Sequence, residues 1–234
     1  MEKNINKLNI LFDKYELTKE ERDFILKIIY PIFKHREFQR RMTKEFLHHS
    51  DITLGEHILE DMIVTYILSK KYLKKYNYNL DLSLKIAMLH DLYTTPWQNS
   101  SYKTKYFFNK HGFRHPLEAA INAINWYPEL FKNNIDSKIL IDGIIHHMFP
   151  FPVRILDNKR MELANIDLLN KIPNELKDIL VTSLRRKRLG AISFSRSLYK
   201  EGRIMSKADK RVSLKQIKNF ESLKALFTGK NKSI

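Results

Sequence analysis

Apolar side chains recur at three- and four-residue intervals along most of this chain, and strict alternation of apolar and polar positions is scarce. Such spacing gathers apolar groups on one face of an α-helix. Thr18 and Glu21 form a capping-box pattern that opens a helix whose apolar positions Phe24, Ile25, Ile28, Ile29, Ile32 and Phe33 share a face, ending near His35. A long helix is predicted over about 55–76, with Ile58, Met62, Tyr66 and Leu73 in register. Asp81 is expected to cap a shorter helix running through Leu84, Ala87 and Met88 to His90, and Pro96 marks a point by which it has stopped.

Past a loop rich in Lys, Asn, Ser and Tyr, Pro116 fits a first helical turn, which sets His115 at the mouth of a helix reaching Trp126. Asp136 or Ser137 opens the next helix, which carries His146 and His147 to the break Met148-Phe149-Pro150-Phe151-Pro152. Positions 153–173 are mixed. A helix over 174–188 is expected to end in Arg185-Arg186-Lys187-Arg188 with Gly190 as its stop, followed by helices over 202–211 and 214–227. With only six glycines, the chain reads as all-α. The expected organisation is an N-terminal helical segment over 1–36 packed on the core, a main domain over 37–228 and a basic tail over 229–234.

A chain of 234 residues, 43% hydrophobic, is long enough to bury one substantial core. No stretch approaches the roughly 18–20 apolar residues of a membrane span, and the start lacks an apolar signal-peptide core, so a soluble, cytoplasmic protein without a membrane partner is expected. Because cysteine is absent, thiolate metal sites, disulfides and a cysteine nucleophile are excluded; any metal is held by imidazole and carboxylate. The formal charge of +16 attracts phosphates on nucleic acid or nucleotides. Abundant Lys, Asn and Ile produce the same surplus through composition alone, so a nucleic-acid partner is one of two readings of the charge.

Histidine therefore carries the chemical signal. His90-Asp91 closes an apolar helix, where adjacent side chains can turn toward one ion; His57 lies 33 positions upstream, and His115, His147 and Ala208-Asp209-Lys210 follow. The order His, His-Asp, His, His, Asp on consecutive helices resembles the HD superfamily of metal-dependent phosphohydrolases. Local contexts carry the resemblance too: the octapeptide 50–57, Met88-Leu89-His90-Asp91, Gly112-Phe113-Arg114-His115-Pro116, Ile145-His146-His147-Met148 and Ser206-Lys207-Ala208-Asp209-Lys210 are similar to a bacterial branch of HD-domain hydrolases, over about 38–227. The fold so implied is a single HD-like helical bundle. Asp209 follows His147 by 62 positions, which implies a longer helical insertion, over about 154–203, before the last ligand helix.

Carried across residue by residue, the resemblance makes His57, His90, Asp91 and Asp209 the ligands of a first divalent ion. Asp91 then bridges to a second ion held by His115 and His147. Mn, Fe, Zn, Co or Ni suits such donors, and a metal-activated water would attack a phosphate mono- or diester, most plausibly of a nucleotide or another phosphorylated small molecule. Asp91, His115 and Lys210 are the catalytic candidates. Arg114, Arg203, Lys207 and Lys210 are phosphate-binding candidates, the last three spaced as one helix row that also reads as a solvated face. His115 also reads as a helix-capping or substrate-contacting imidazole, and His147 as a packed core residue.

Asp61 is placed behind His57 as an orienting carboxylate, and His146, about 100° around the helix from His147, as an outer partner of the centre. Tyr93, Trp97, Tyr102, Tyr106 and Phe107 read either as core or as a stacking platform for a base. The basic run 185–188, with Arg196, Lys200 and Arg203, reads as a polyanion contact or as a helix terminus whose cations suit the dipole. Two alternatives to hydrolysis accompany this reading: a nucleic-acid or nucleotide binding module with a structural metal, and a di-iron oxygenase of the HD type.

Overall fold

The computed structural model describes residues 2–49, 51–73, 77–96, 107–154, 171–190 and 192–216. Among these, nine α-helices carry the architecture: α1 (Glu2–Lys14), α2 (Lys19–Phe33), α3 (Arg36–Arg41), α4 (Leu54–Leu73), α5 (Leu80–Leu89), α6 (His111–Trp126), α7 (Asn134–Ile145), α8 (Asn174–Arg185) and α9 (Lys200–Gln216). Two small antiparallel sheets accompany them. One pairs β1 (Leu47–His49) with β2 (Ile52–Thr53); the other runs in the order β3 (Val153–Arg154), β5 (Ile192–Ser193), β4 (Arg188–Leu189). The chain is all-α, as the apolar spacing predicts.

Helix starts follow from local polar chemistry. At α2 the Glu21 N–H donates to Thr18 Oγ1 at 3.3 Å and the Thr18 N–H donates to the Glu21 carboxylate at 2.9 Å, a complete capping box. Thr53 and Glu56 repeat the device at α4, at 3.3 and 2.9 Å. Two expected caps are corrected. Asn79, not Asp81, caps α5 through the Leu82 N–H, and Asn133, not Asp136 or Ser137, caps α7 through the N–H groups of Ile135 and Asp136. Asparagine accepts as well as aspartate here, and both acids then sit in the first turn, where negative charge still suits the dipole.

Three further expectations change. α6 begins at His111, so Pro116 lies in its second turn and His115 sits inside the helix instead of at its mouth. Proline costs that turn one hydrogen bond, to the Gly112 carbonyl. α8 stops at Arg185; the rest of the basic run turns into β4, and Gly190, at φ 58°, makes the β4–β5 turn instead of stopping a helix. The described part of the insertion is therefore helix plus β-ribbon. Finally, the helices expected over 202–211 and 214–227 are continuous as α9 to Gln216. Positions beyond 216, including the tail at 229–234, and the 74–76 end of the long helix lie outside the described residues.

α4, α5, α7 and α9 form the centre, with α9 against the other three and α5 between α4 and α7; α1 packs on α4, α2 on α5 and α6 on α7. One apolar core runs from Leu8 and Phe12 through Ile58, Met62 and Met88 to Ile141 and Ile144, so the N-terminal helices share it. Where α7 meets α9 both use glycine: a Cβ on Gly202 would lie 2.6 Å from the Gly143 Cα. This close approach seats the Asp209 helix against the helix leading to His147. No helix among the described residues is long and apolar enough to cross a membrane.

Candidate metal centre

Helix ends aim the histidines inward. His90 and His147 stand just past α5 and α7, where the last carbonyls have no intrahelical partner. Each fills one such vacancy through Nδ1, His90 with the Ala87 carbonyl and His147 with that of Ile144, both at 2.8 Å. His115 Nδ1 faces the His111 carbonyl at 3.2 Å. His57, in the first turn of α4, directs Nδ1 to Gln216 Oε1 at 2.8 Å, and the Gln216 amide donates to Glu60 at 2.9 Å, which fixes the orientation of that amide. With Nδ1–H engaged on carbonyl or amide oxygen, all four rings turn Nε2 toward one centre, the tautomer that metal-binding histidines use.

The carboxylates meet them there. Asp61 Oδ2 lies 3.0 Å from His57 Nε2 and 3.3 Å from His90 Nε2, and Asp209 Oδ1 lies 3.6 Å from His57 Nε2. Asp91 divides between two groups. Its Oδ2 is 3.9 Å from His57 Nε2 and 3.7 Å from His90 Nε2, while its Oδ1 is 3.1 Å from His115 Nε2 and 3.5 Å from His147 Nε2. Ligands bound at about 2.1 Å to one ion stand about 3.0–3.4 Å apart, so the inner distances are those of a ligand shell. The donor atoms of His57, Asp61, His90 and Asp209 lie within 4.8 Å of one another, as do those of His90, Asp91 and His147.

The residues fit a cation on two further grounds. His90 Nε2, both Asp61 oxygens and Asp91 Oδ1 are buried without a well-formed hydrogen bond, a costly state that an ion would relieve. His115 and His147 bring their Nε2 atoms to 3.0 Å, and Asp91 Oδ1 lies 3.1 and 3.5 Å from them, so three donor atoms crowd one point. Charge is arranged accordingly. Burial opposes charge on His57, but Asp61 and Asp209 outweigh it and hold its pKa well above the usual imidazole range. For His90, burial is outweighed by Asp91 and Asp61, and its pKa rises to about 9. Burial would raise the Asp91 pKa, yet His90 and His115 hold it well below the carboxylate range. Burial together with His90 and His115 pushes His147 well below its ordinary value.

All six expected ligands, His57, His90, Asp91, His115, His147 and Asp209, thus converge. Asp61 is not behind His57 but inside the cluster, and Gln216 takes the orienting place at Nδ1. His146 faces away from the centre. Its Nε2 is 3.2 Å from the Ser183 carbonyl, in a network where Asp142 accepts from Ser183 Oγ, Ser197 Oγ, the Leu198 N–H and Arg186, tying α8 and the 197–198 loop to α7. Burial, aided by Arg186 and only partly offset by Asp142, lowers the His146 pKa to about 4.

The expected cation row also separates. Arg203 donates to the carbonyls of Ser197 and Leu198 at 2.7 and 3.0 Å. Lys207 is exposed, with Nζ 5.3 Å from the Tyr72 ring centroid. Lys210 donates to the Phe149 carbonyl and to Ser206 Oγ, fastening the segment after His147 onto α9. Arg114 is half-buried on α6 beside His115. Of the aromatic candidates, Tyr93 is a buried wall, edge-on to His111 and His115 at 4.4 and 6.1 Å, and Phe107 is exposed. Trp97, Tyr102 and Tyr106 lie outside the described residues.

Several supporting residues escape a reading of the sequence alone. The turn after Asp91 is gripped from three sides: Arg41 Nη2 donates to the Tyr93 carbonyl at 2.6 Å, Asn122 Nδ2 to that of Leu92 at 2.7 Å, and the Thr94 N–H donates to Glu118 at 2.8 Å. Nothing in the spacing marks Arg41. Gln216 does leave a signal, since Ser206, Asp209, Ser213 and Gln216 fall on one face at helical period, but an expected break after 211 hides it. Comparison with protein-family models, curated proteins and solved structures found no match for this chain.

Proposed function

We propose that the chain is an HD-type metal-dependent phosphohydrolase that cleaves a phosphate mono- or diester, with nucleotides the favoured substrate class. The observation that carries the reading is the split of Asp91, one oxygen toward His57 and His90 and the other toward His115 and His147. His57, His90, Asp209 and Asp91 Oδ2 would hold one divalent ion, with Asp61 close enough to join them. His115, His147 and Asp91 Oδ1 would hold a second. Bound ions of this kind bring the pKa of water toward neutrality and neutralise phosphoryl oxygens.

The chain's own residues supply position and access. Gln216, Ala87, Ile144 and His111 fix the imidazoles, and the grip on 92–94 fixes Asp91. His57 and His90 are fully buried, whereas Asp91, His115 and Asp209 keep 4%, 5% and 7% exposure, so a substrate would meet the centre at these three. Arg114, adjacent to His115 in sequence, would supply positive charge for a phosphate. The test is turnover of an aryl phosphate and a panel of nucleotide mono- and diesters by Mn- or Co-loaded protein. Hydrolysis in the wild type that Asp91→Ala abolishes is expected; folded, metal-loaded protein inert across the panel contradicts the reading.

A further inference from the structure

We propose that Glu60 is a positioning residue for the first ion, and that the end of α1, a helix carrying none of the ligands, sets His57 through it; the inference rests on the metal-centre reading above. Glu60 is buried on α4. Its Oε1 accepts from Lys14 Nζ and from the Tyr15 hydroxyl, both at 2.7 Å, and its Oε2 accepts from Gln216 Nε2 at 2.9 Å. Gln216 Oε1 in turn lies 2.8 Å from His57 Nδ1. Tyr15, Glu60, Gln216 and His57 thus form one row, which joins the end of α1 to the first ligand of α4 by way of the last residue of α9. Packing holds the row in place: Lys215 Nζ lies 5.5 Å from the Tyr15 ring centroid, Lys7 pairs with Glu56 at 2.9 Å, and Leu8 and Phe12 are fully buried in the core.

The direction of each bond follows from what each group can do. An ionised carboxylate only accepts, an ammonium only donates, and an amide accepts at one end and donates at the other. With Lys14 and Tyr15 donating to one of its oxygens, Glu60 remains an acceptor, so Gln216 turns Nε2 to Glu60 and Oε1 to His57. His57 Nδ1 then keeps its proton. It is therefore Nε2, 3.0 Å from Asp61 and 3.6 Å from Asp209, that yields its lone pair to an ion. Turned about, the amide would donate to Nδ1 and fix the proton on Nε2, facing the centre. Glu60 selects the binding tautomer through the amide.

The experiment uses the full chain and Co(II), read by the dissociation constant and by the paramagnetically shifted N–H signal of His57, identified by its loss in His57→Gln. Glu60→Gln keeps the size of the side chain but gives it a donor toward Gln216, and it is expected to lose or move that signal and to weaken the ion about tenfold. Adding Gln216→Glu exchanges the two groups: the new amide donates to the new carboxylate, which accepts from His57 Nδ1. This double variant is expected to regain the signal and most of the affinity, a coupling that packing alone does not produce. Lys14→Met with Tyr15→Phe weakens the ion in the same sense, and decides the matter should Glu60→Gln fail to fold by far-UV circular dichroism. If Glu60→Gln and the Lys14 and Tyr15 variant keep the wild-type signal and affinity, or if the exchange recovers nothing, Glu60 does not position His57 while the centre itself stands. If wild-type protein binds no Co(II), the metal-centre reading falls and this proposal with it.

Discussion

His57 and His90 are fully buried among carboxylates, and in the absence of an ion those carboxylates draw protons onto them, raising His90 to about 9 and His57 well above the usual imidazole range. A divalent ion needs the same Nε2 lone pairs, so binding must displace those protons. Near neutral pH, both groups are protonated before the ion arrives, and affinity should climb as pH rises toward about 9. Calorimetric titration of metal-free protein in buffers of different ionisation enthalpy should show net proton release; identical heats in every buffer would contradict this. The six residues that converge were legible in the sequence, because each is a histidine or aspartate at a helix end or on a helix, in an order that resembles a known family. The place of Asp61 was not. An i, i+4 carboxylate can approach either imidazole nitrogen, and which one it meets depends on Gln216, far away in the chain.

At the scale of elements, the turn after Asp91 depends on Arg41, fully buried between the rings of Phe46 and Trp126 at 4.7 and 4.6 Å and paired with Glu37 at 2.8 Å. Replacing it by Met leaves Glu37 only the exposed Arg36 at 3.3 Å and releases the Tyr93 carbonyl. Breaking a fully buried pair costs about 3–5 kcal/mol, an upper bound here because Arg36 still reaches Glu37. Denaturant unfolding of Arg41→Met should show a loss of that order, together with weaker metal binding; wild-type stability would refute the clamp. Helix caps explain what was and was not legible here. Thr18 with Glu21 is a two-residue signature and was read directly, whereas Asn79 competes with Asp81 and Asn133 with Asp136 and Ser137, and one sequence cannot rank adjacent polar candidates. The β4–β5 ribbon was hidden because Arg185-Arg186-Lys187-Arg188 continues the polar face of α8 without interruption.

Across the whole molecule, a continuous core joins the N-terminal helices to the bundle that carries the ligands, which is why apolar spacing alone made the all-α class legible. Part of the +16 charge is engaged within the fold. Arg186 is spent on Asp142, Arg203 on backbone carbonyls, and Lys210 on the segment after His147, so several cations near the last ligand helix serve the fold. What no spacing could reveal is that the insertion is bound to α7 through Asp142, a contact between residues more than forty positions apart in sequence. The central claim is that four helices and the turn after α5 assemble two ligand sets around Asp91. Elemental analysis of protein purified without chelator and reconstituted with metal tests it most directly, comparing wild type with His115→Ala and His147→Ala. The account predicts about two transition-metal ions per chain, falling to about one in either variant; a folded wild type that retains none would contradict it.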